Sequence, residues 1–179
     1  MRVLVFRAEA TGILMGNPKV KFETTMGTFV AEIYQDKAPT SAKNFLQYVN
    51  DQFLNGTIFH RVIPGFVIQG GGFTPGMGEK QTRAPIPLET KAGLKHDDGC
   101  LSMARTMNPD SGTSQFFVCD GPQKALDPRG PRDGYAVFGK VISGIEVVRA
   151  IARVKTGTKK GHDDVPLTDV ILTKASLGA

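Results

Sequence analysis

The sequence predicts a mainly β fold, namely a closed eight-stranded antiparallel β-barrel capped by two α-helices. Eight short segments have the alternation, or the β-branched and aromatic enrichment, of strands, whereas only two segments repeat apolar residues at helical spacing. The 179 residues include 21 glycines and 11 prolines that are scattered without a period. This composition is typical of a chain with many tight turns, and short strands joined in this way favour a closed antiparallel barrel.

The first two predicted strands form a hairpin. Residues 19–24 and 28–34 both alternate apolar and polar side chains, with a turn at Met26 and Gly27. Pro64 and Gly65 separate the next two strands. The remaining predicted strands, including that second pair, are residues 57–63, 66–69, 100–104, 115–119, 136–141 and 165–172.

The two predicted helices each have an apolar face. The first begins at Pro39, a residue that is favoured at helix starts. Its apolar residues at i, i+3, i+4 and i+7 are Ala42, Phe45, Leu46 and Val49. The second helix covers residues 143–152, and Ser143 with Glu146 matches the S-x-x-E pattern of a capping box.

Composition and charge exclude several classes of protein. With 40% hydrophobic and 22% charged residues, the chain is too apolar to be disordered. No apolar run approaches the roughly 18 residues of a membrane span, and two cysteines provide no disulfide framework. The net charge of +5 permits contact with nucleic acid, but no dense basic run with interleaved aromatics indicates a specific site.

We interpret residues 1–17 as an N-terminal extension, residues 18–175 as one domain and residues 176–179 as a C-terminal tail. The extension holds an apolar run of only four residues, at 3–6, whereas a secretory signal needs about 7–15. It represents an upstream start, residues added in cloning or an extra strand. We therefore expect a cytoplasmic protein with reduced thiols, and a monomer.

The residues that most often hold metals or act as nucleophiles lack a catalytic spacing. The histidines are His60, His96 and His162. The two His-Asp-Asp tripeptides do not have zinc spacing, and we expect them to lie in solvated turns. Cys100 and Cys119 belong to apolar strands, where buried and unreactive thiols are the norm. The glycines of residues 70–78 lack the G-K-[ST] of a P-loop. We predict no metal and no other cofactor.

Residues 59–73 combine aromatic, aliphatic, arginine and glutamine residues between glycines. They read F-H-R-V-I-P-G-F-V-I-Q-G-G-G-F. In strand alternation Arg61 shares a face with Ile63, and Gln69 shares a face with Val67. No carboxylate within the segment can pair with Arg61. Apolar walls with a few placed polar groups are typical of a ligand site.

This segment resembles the F-H-R-[VI]-I-P-G-F-x-x-Q-G-G signature of the cyclophilins, a family of peptidyl-prolyl cis–trans isomerases. Two further blocks agree in order, residues 102–105 with 112–118, and residues 135–141. The resemblance extends over about residues 18–175 and is strongest to short bacterial-type cytosolic members. It implies an eight-stranded barrel with two helices, isomerisation of X-Pro bonds in proteins and peptides, assistance in protein folding, and no cofactor.

The resemblance also implies roles for individual residues. Arg61 matches the catalytic arginine, and Phe66 and Gln69 complete the predicted catalytic group. The residues predicted to bind substrate are His60, Val67, Ala104, Arg105, Gln115, Phe117, Leu126 and Tyr135. Among them, Val67, Phe117 and Leu126 match the wall of the proline pocket together with Phe66. Gln69, Ala104 and Gln115 match residues that hold the substrate backbone.

Two positions depart from the pattern of eukaryotic members. Tyr135 stands where those proteins have a pocket histidine, and Ala125 stands where they have a tryptophan. The family binds the cyclic peptide cyclosporin in its substrate groove. Because Ala125 offers neither a large apolar face nor an indole N–H, we expect weak cyclosporin binding.

Two alternatives to an isomerase stay open on sequence grounds. One is a non-catalytic module or holdase that binds proline peptides on the same barrel, and the other is a basic barrel that binds nucleic acid. Arg61 and Gln69 favour catalysis, because binding alone does not require a donor aimed at the imide nitrogen.

Overall fold

The computed structural model describes residues 16–90 and 92–178. The apolar run at residues 3–6, and with it the possible extra strand of the N-terminal extension, lies outside the described residues. The helices are α1 (Pro39–Asn50) and α2 (Ile145–Ala152), and a short 3-10 helix covers Lys124–Leu126. Within the described ranges, no helix combines the length and the apolar character needed to cross a membrane. The strands in chain order are β1 (Lys19–Thr24), β2 (Gly27–Ile33), β3 (Thr57–Ile63), β4 (Val67–Gly70), β5 (Phe73–Thr74), β6 (Gly78–Glu79), β7 (Cys100–Met103), β8 (Phe116–Cys119), β9 (Val137–Ser143), β10 (Thr156–Lys159), β11 (His162–Pro166) and β12 (Ile171–Leu177).

Eight of these strands close an antiparallel barrel in the order β1-β12-β3-β4-β8-β7-β9-β2. This confirms the predicted fold class. The other four strands form two small hairpins, β5 with β6 and β10 with β11, which the sequence did not predict.

Phenylalanine rings fill the inside of the barrel. Phe22 stacks on Phe29 with ring centroids 4.6 Å apart, and both are at most 1% exposed. Phe45 enters from α1 and lies 5.4 Å from Phe116 and 4.9 Å from Phe138. A small barrel that is filled by its own side chains has no room for a ligand. Any binding site must therefore lie on the outer face.

The prediction that residues 165–172 form the last strand is wrong. The segment divides into the end of β11 at Pro166 and the start of β12, and Leu167 between them is 56% exposed. The true last strand lacks a clean alternation because its register against β1 shifts by one residue at Thr173. It runs to Leu177, through two residues that the sequence placed in the tail.

The predicted capping box at the start of α2 is also wrong. Ser143 is the last residue of β9, the helix begins at Ile145, and no side chain of the described residues caps it. Gly144 occupies the N-cap with φ of 79°. A Cβ at Gly144 would lie 2.5 Å from the carbonyl oxygen of Thr28, so the close approach to β2 requires glycine there.

Hydrogen bonds to α1 hold the long connection between β6 and β7 in place. The carboxylate of Glu89 accepts hydrogen bonds from the backbone N–H groups of Thr40 (3.1 Å) and Ser41 (2.8 Å), which are otherwise unpaired donors at the start of α1. The hydroxyl of Tyr48 accepts a hydrogen bond from the backbone N–H of Arg83 at 3.0 Å. These contacts fix the connection against α1.

Candidate active site

A β-bulge directs Arg61 away from the interior of the barrel. Phe59 pairs with Gly70 and Arg61 pairs with Gln69, so His60 is one extra residue in β3. Strict alternation would turn Arg61 to the same side as Phe59, which is in the core. The bulge changes this parity, as bulges beside active sites commonly do. Arg61 and Gln69 consequently share the outer face.

The guanidinium of Arg61 has no fixed partner in the part of the chain that the structure describes. It lies 5.8 Å from the centre of the Phe66 ring, beyond the turn at Pro64 and Gly65. Among the described residues, no carboxylate lies within 4.0 Å of it. The turn itself is fixed, because the backbone N–H of Gly65 donates to Asp120 Oδ2 at 2.8 Å. The N–H donors of Arg61 are therefore available to a ligand.

The second arginine at the site is committed to the protein. Arg105 Nε donates to the carbonyl of Gly134 and Arg105 Nη1 donates to the carbonyl of Thr106, both at 2.9 Å. Its guanidinium also lies 4.7 Å from the ring centre of Tyr135. Arg105 thus stabilises the wall of the site, whereas Arg61 can act on a bound molecule.

Two glutamine side chains are linked beside Arg61. Gln69 Nε2 donates to Gln115 Oε1 at 3.0 Å. Gly72 packs against Gln115 so tightly that a Cβ at this glycine would lie 2.6 Å from the Gln115 side chain. The absence of a side chain at Gly72 therefore helps to set the position of Gln115.

Arg61 and eight neighbouring residues line a cavity of about 260 Å³ on the outer face of the barrel. They are Arg61, Phe66, Val67, Gln69, Ala104, Arg105, Phe117, Leu126 and Tyr135. Phe117 is paired with Gln69 in the sheet and meets Tyr135 edge to face, with ring centroids 5.6 Å apart. The cavity is small for a drug-sized ligand and suits one ring-sized apolar group.

The structure brings together nine of the eleven predicted site residues, and two lie beside that cavity. Gln115 does not line the cavity, but it accepts a hydrogen bond from Gln69, which does. His60 is 5% exposed and packs its ring 4.6 Å from the ring of Phe73, on the other side of Arg61. Burial, followed by the charges of His162 and Arg61, lowers the pKa of His60 to about 4. His60 is thus neutral at physiological pH.

His96 does not lie in a solvated turn, contrary to the prediction. It is 1% exposed, with Nδ1 3.0 Å from Asp127 Oδ1 and Nε2 3.0 Å from Ser102 Oγ. Its ring stacks behind Phe117 at 6.0 Å. The order Asp-His-Ser matches a nucleophilic triad, but Ser102 is fully buried and cannot meet a substrate. Asp127 lies 31 residues further along the chain, so no local pattern identifies the buried position of His96.

The remaining predictions for titratable groups have mixed outcomes. His162 is exposed, as predicted, but it belongs to β11 and not to a turn. Cys100 and Cys119 are buried and free, as predicted. Burial raises the pKa of both thiols, for Cys100 to about 11, so neither is a thiolate at neutral pH.

A filled barrel with an apolar cavity and an uncommitted guanidinium on its outer face defines a class of protein that binds a small apolar group beside a hydrogen-bond acceptor. Residues 19–177 match the family model described as cyclophilin type peptidyl-prolyl cis-trans isomerase/CLD. The chain therefore belongs to the cyclophilin family.

Individual relatives agree with this assignment. A peptidyl-prolyl cis-trans isomerase of Acinetobacter baylyi is 53% identical over 152 residues, which are 85% of this chain and 81% of that protein. Peptidyl-prolyl cis-trans isomerase B of Escherichia coli is 47% identical over 161 residues, 88% of this chain and 98% of that protein.

Solved structures give the same result at lower identity. A crystal structure of a Cryptosporidium parvum cyclophilin type peptidyl-prolyl cis-trans isomerase superposes with a TM-score of 0.75 and 26% identity, covering 91% of this chain and 98% of that one. A second crystal structure of that protein, in the presence of the dipeptide Ala-Pro, gives a TM-score of 0.74 and 27% identity, covering 90% and 99%.

Proposed function

We propose that this chain accelerates cis–trans isomerisation of X-Pro peptide bonds in proteins and peptides, with Arg61 as the group that stabilises the twisted bond. The observation that carries the proposal is the Arg61 guanidinium, unpaired among residues 16–90 and 92–178, at the edge of an apolar, ring-sized cavity. One crystal structure of the C. parvum relative was determined in the presence of the dipeptide Ala-Pro, a compound with an X-Pro bond.

The chemistry follows from the properties of the peptide bond. Rotation about the C–N bond has a barrier of about 18–20 kcal/mol because resonance joins the nitrogen to the carbonyl. For X-Pro bonds both isomers are populated, and their exchange takes about tens to hundreds of seconds. Twisting the bond breaks the conjugation and makes the proline nitrogen a hydrogen-bond acceptor. A donor at that nitrogen therefore binds the twisted state more tightly than either planar isomer.

The apolar residues of the cavity and the residues beside them have different roles in this proposal. Phe66, Val67, Phe117, Leu126 and Tyr135 surround the proline ring and exclude water, which strengthens the hydrogen bond from Arg61. Gln69, Ala104 and Gln115 hold the peptide backbone so that rotation is confined to one bond. Arg105 stabilises the wall beside them, and His60 lies on the far side of Arg61.

An isomerase assay on a tetrapeptide with a central X-Pro bond tests the proposal. The bond should isomerise at a rate that increases in proportion to protein concentration. A non-catalytic module or holdase would bind the same peptide without changing this rate, and that result would refute the proposal. Calorimetry with the same peptide separates this outcome from a failure to bind.

The biological setting is also proposed. We propose that the protein assists folding of proline-containing chains as a cytoplasmic monomer, with weak cyclosporin binding. We take the isomerase domain, predicted as residues 18–175, to the end of β12 at Leu177. Acceleration of a proline-limited refolding phase, which lasts about 10–100 s at 25 °C, tests the folding role. Light scattering and cell fractionation test the monomer and the compartment.

A further inference from the structure

A second cavity of about 490 Å³ lies on the other side of Arg61. Arg61 and Gln69 line both cavities, so the two lie next to each other on the outer face of β3 and β4. The far wall of the second cavity comes from the β10–β11 hairpin, through His162, Asp163 and Asp164. The proposed catalytic cycle uses none of these three residues.

The hairpin gives this cavity an excess of negative charge. The lining includes two carboxylates, those of Asp163 and Asp164, and one guanidinium, that of Arg61. No cationic side chain of the described residues lies within 4.0 Å of either carboxylate. Asp163 accepts a hydrogen bond from Thr158 Oγ1 at 2.7 Å, which fixes its position. Asp164 has φ of 59°, a left-handed backbone that aspartate adopts readily as a single residue.

His60 adds a buried polar group, unpaired among the described residues, to the inner wall of this cavity. His60 lines the cavity, is 5% exposed, and its Nδ1 is buried without a hydrogen-bond partner among the described residues. Buried polar groups in proteins are nearly always paired. Because burial lowers its pKa to about 4, the imidazole is neutral and does not repel a cation. Its ring and that of His162 lie against Phe73, at 4.6 Å and 5.3 Å between centroids.

We infer that this second cavity is a substrate subsite for a basic side chain, lysine or arginine, close to the isomerised proline. Asp163 and Asp164 attract the cationic head, and the rings of Phe73 and His162 contact its methylene stem. The inference rests on the proposed isomerase function and adds a substrate class to it. An extended peptide advances about 3.3 Å per residue, so the basic residue lies within about three positions of the proline.

Two sets of peptides test the subsite. In one set a single lysine is placed at each position from three before to three after the proline, and in the other norleucine replaces that lysine. The ratio of kcat/KM for each lysine peptide to its norleucine partner is measured at low ionic strength. We expect a ratio of about three to five at one position, the effect of a partly exposed ion pair. It should approach one at 1 M salt, where the screening length is about 3 Å.

The variant Asp163→Asn/Asp164→Asn should abolish this preference. Asparagine keeps an oxygen acceptor for Thr158 and tolerates the left-handed backbone of Asp164. The control variant Asp36→Asn/Glu146→Gln changes the net charge equally at exposed positions away from the cavity and should retain the preference. A ratio near one at every position, or a preference that survives in the first variant, would overturn the subsite. Turnover of no peptide at all would overturn the isomerase function itself.

Discussion

Arg61 and Gln69 lie directly opposite each other on β3 and β4. Directly paired residues have Cβ atoms about 4.5–5.5 Å apart and point to the same face of a sheet. One hydrogen-bond donor and one amide therefore leave the barrel side by side, next to the apolar cavity. This arrangement fits a reaction that must hold a peptide backbone with one group while the other stabilises a rotating bond.

Gly72→Ala tests the positioning of Gln115. Alanine can adopt the backbone of Gly72, but its Cβ would lie 2.6 Å from the Gln115 side chain and must displace it. Loss of a neutral hydrogen bond to substrate costs about 0.5–1.5 kcal/mol, so we expect KM to rise about two- to tenfold with kcat little changed. Gly130→Ala is the matched control, because a Cβ there meets no atom of the described residues within 4 Å. Equal KM values for the two variants would contradict the assigned role.

The pH dependence of turnover distinguishes hydrogen bonding from proton transfer. Arginine does not titrate near neutrality, and the pKa of His60 is lowered to about 4 by burial. We expect kcat/KM to be nearly constant between about pH 6 and pH 8. Acid–base catalysis would give a bell-shaped profile instead. A steep change centred near pH 6.5 that disappears in His60→Gln would show a proton-transfer step at this residue.

The same histidine makes stability depend on pH. The pKa of His60 is 6.5 in the unfolded chain and about 4 in the folded protein, so between these values the unfolded state binds more protons. The contribution of His60 is fully present above pH 6.5 and is lost as pH falls toward 4, by about 3 kcal/mol. Urea unfolding at several pH values should show a smaller loss in His60→Gln than in the wild type. Parallel curves for the two proteins would contradict this.

Cyclosporin affinity tests the consequence of Ala125. This residue is exposed in the 3-10 helix next to Leu126, which lines the cavity. Compared with a protein that has tryptophan at this position, the chain loses a buried aromatic contact, about 1.5–3 kcal/mol, and a hydrogen bond, about 0.5–1.5 kcal/mol. Its affinity for cyclosporin should therefore be lower by about one to three powers of ten. We expect inhibition at micromolar concentration in the wild type and tighter inhibition in Ala125→Trp. Low nanomolar inhibition of the wild type would refute this explanation.

Local patterns predicted the barrel because most of its strands have an apolar face and are separated by glycine or proline turns. The prediction failed where tertiary contacts decide the outcome. The shift at Thr173 removes the alternation of β12, and the approach of Gly144 to β2 excludes a side-chain cap. The cavity residues lie on separate strands, and their grouping came from the resemblance to a family. His96 was misassigned because its partners, Ser102 and Asp127, belong to other segments.

The most direct test of the account is kcat/KM for X-Pro isomerisation by Arg61→Ala. Removal of one preorganised donor typically costs about 10²–10³ in rate. The variant should fold normally, because the Arg61 guanidinium makes no ion pair within the described residues, and thermal unfolding can confirm this. Arg61→Lys should also be poor, since a point charge does not replace a planar fork of donors. We predict a folded protein with at least a hundredfold lower kcat/KM, and a folded Arg61→Ala variant with near-normal kcat/KM would contradict the central claim.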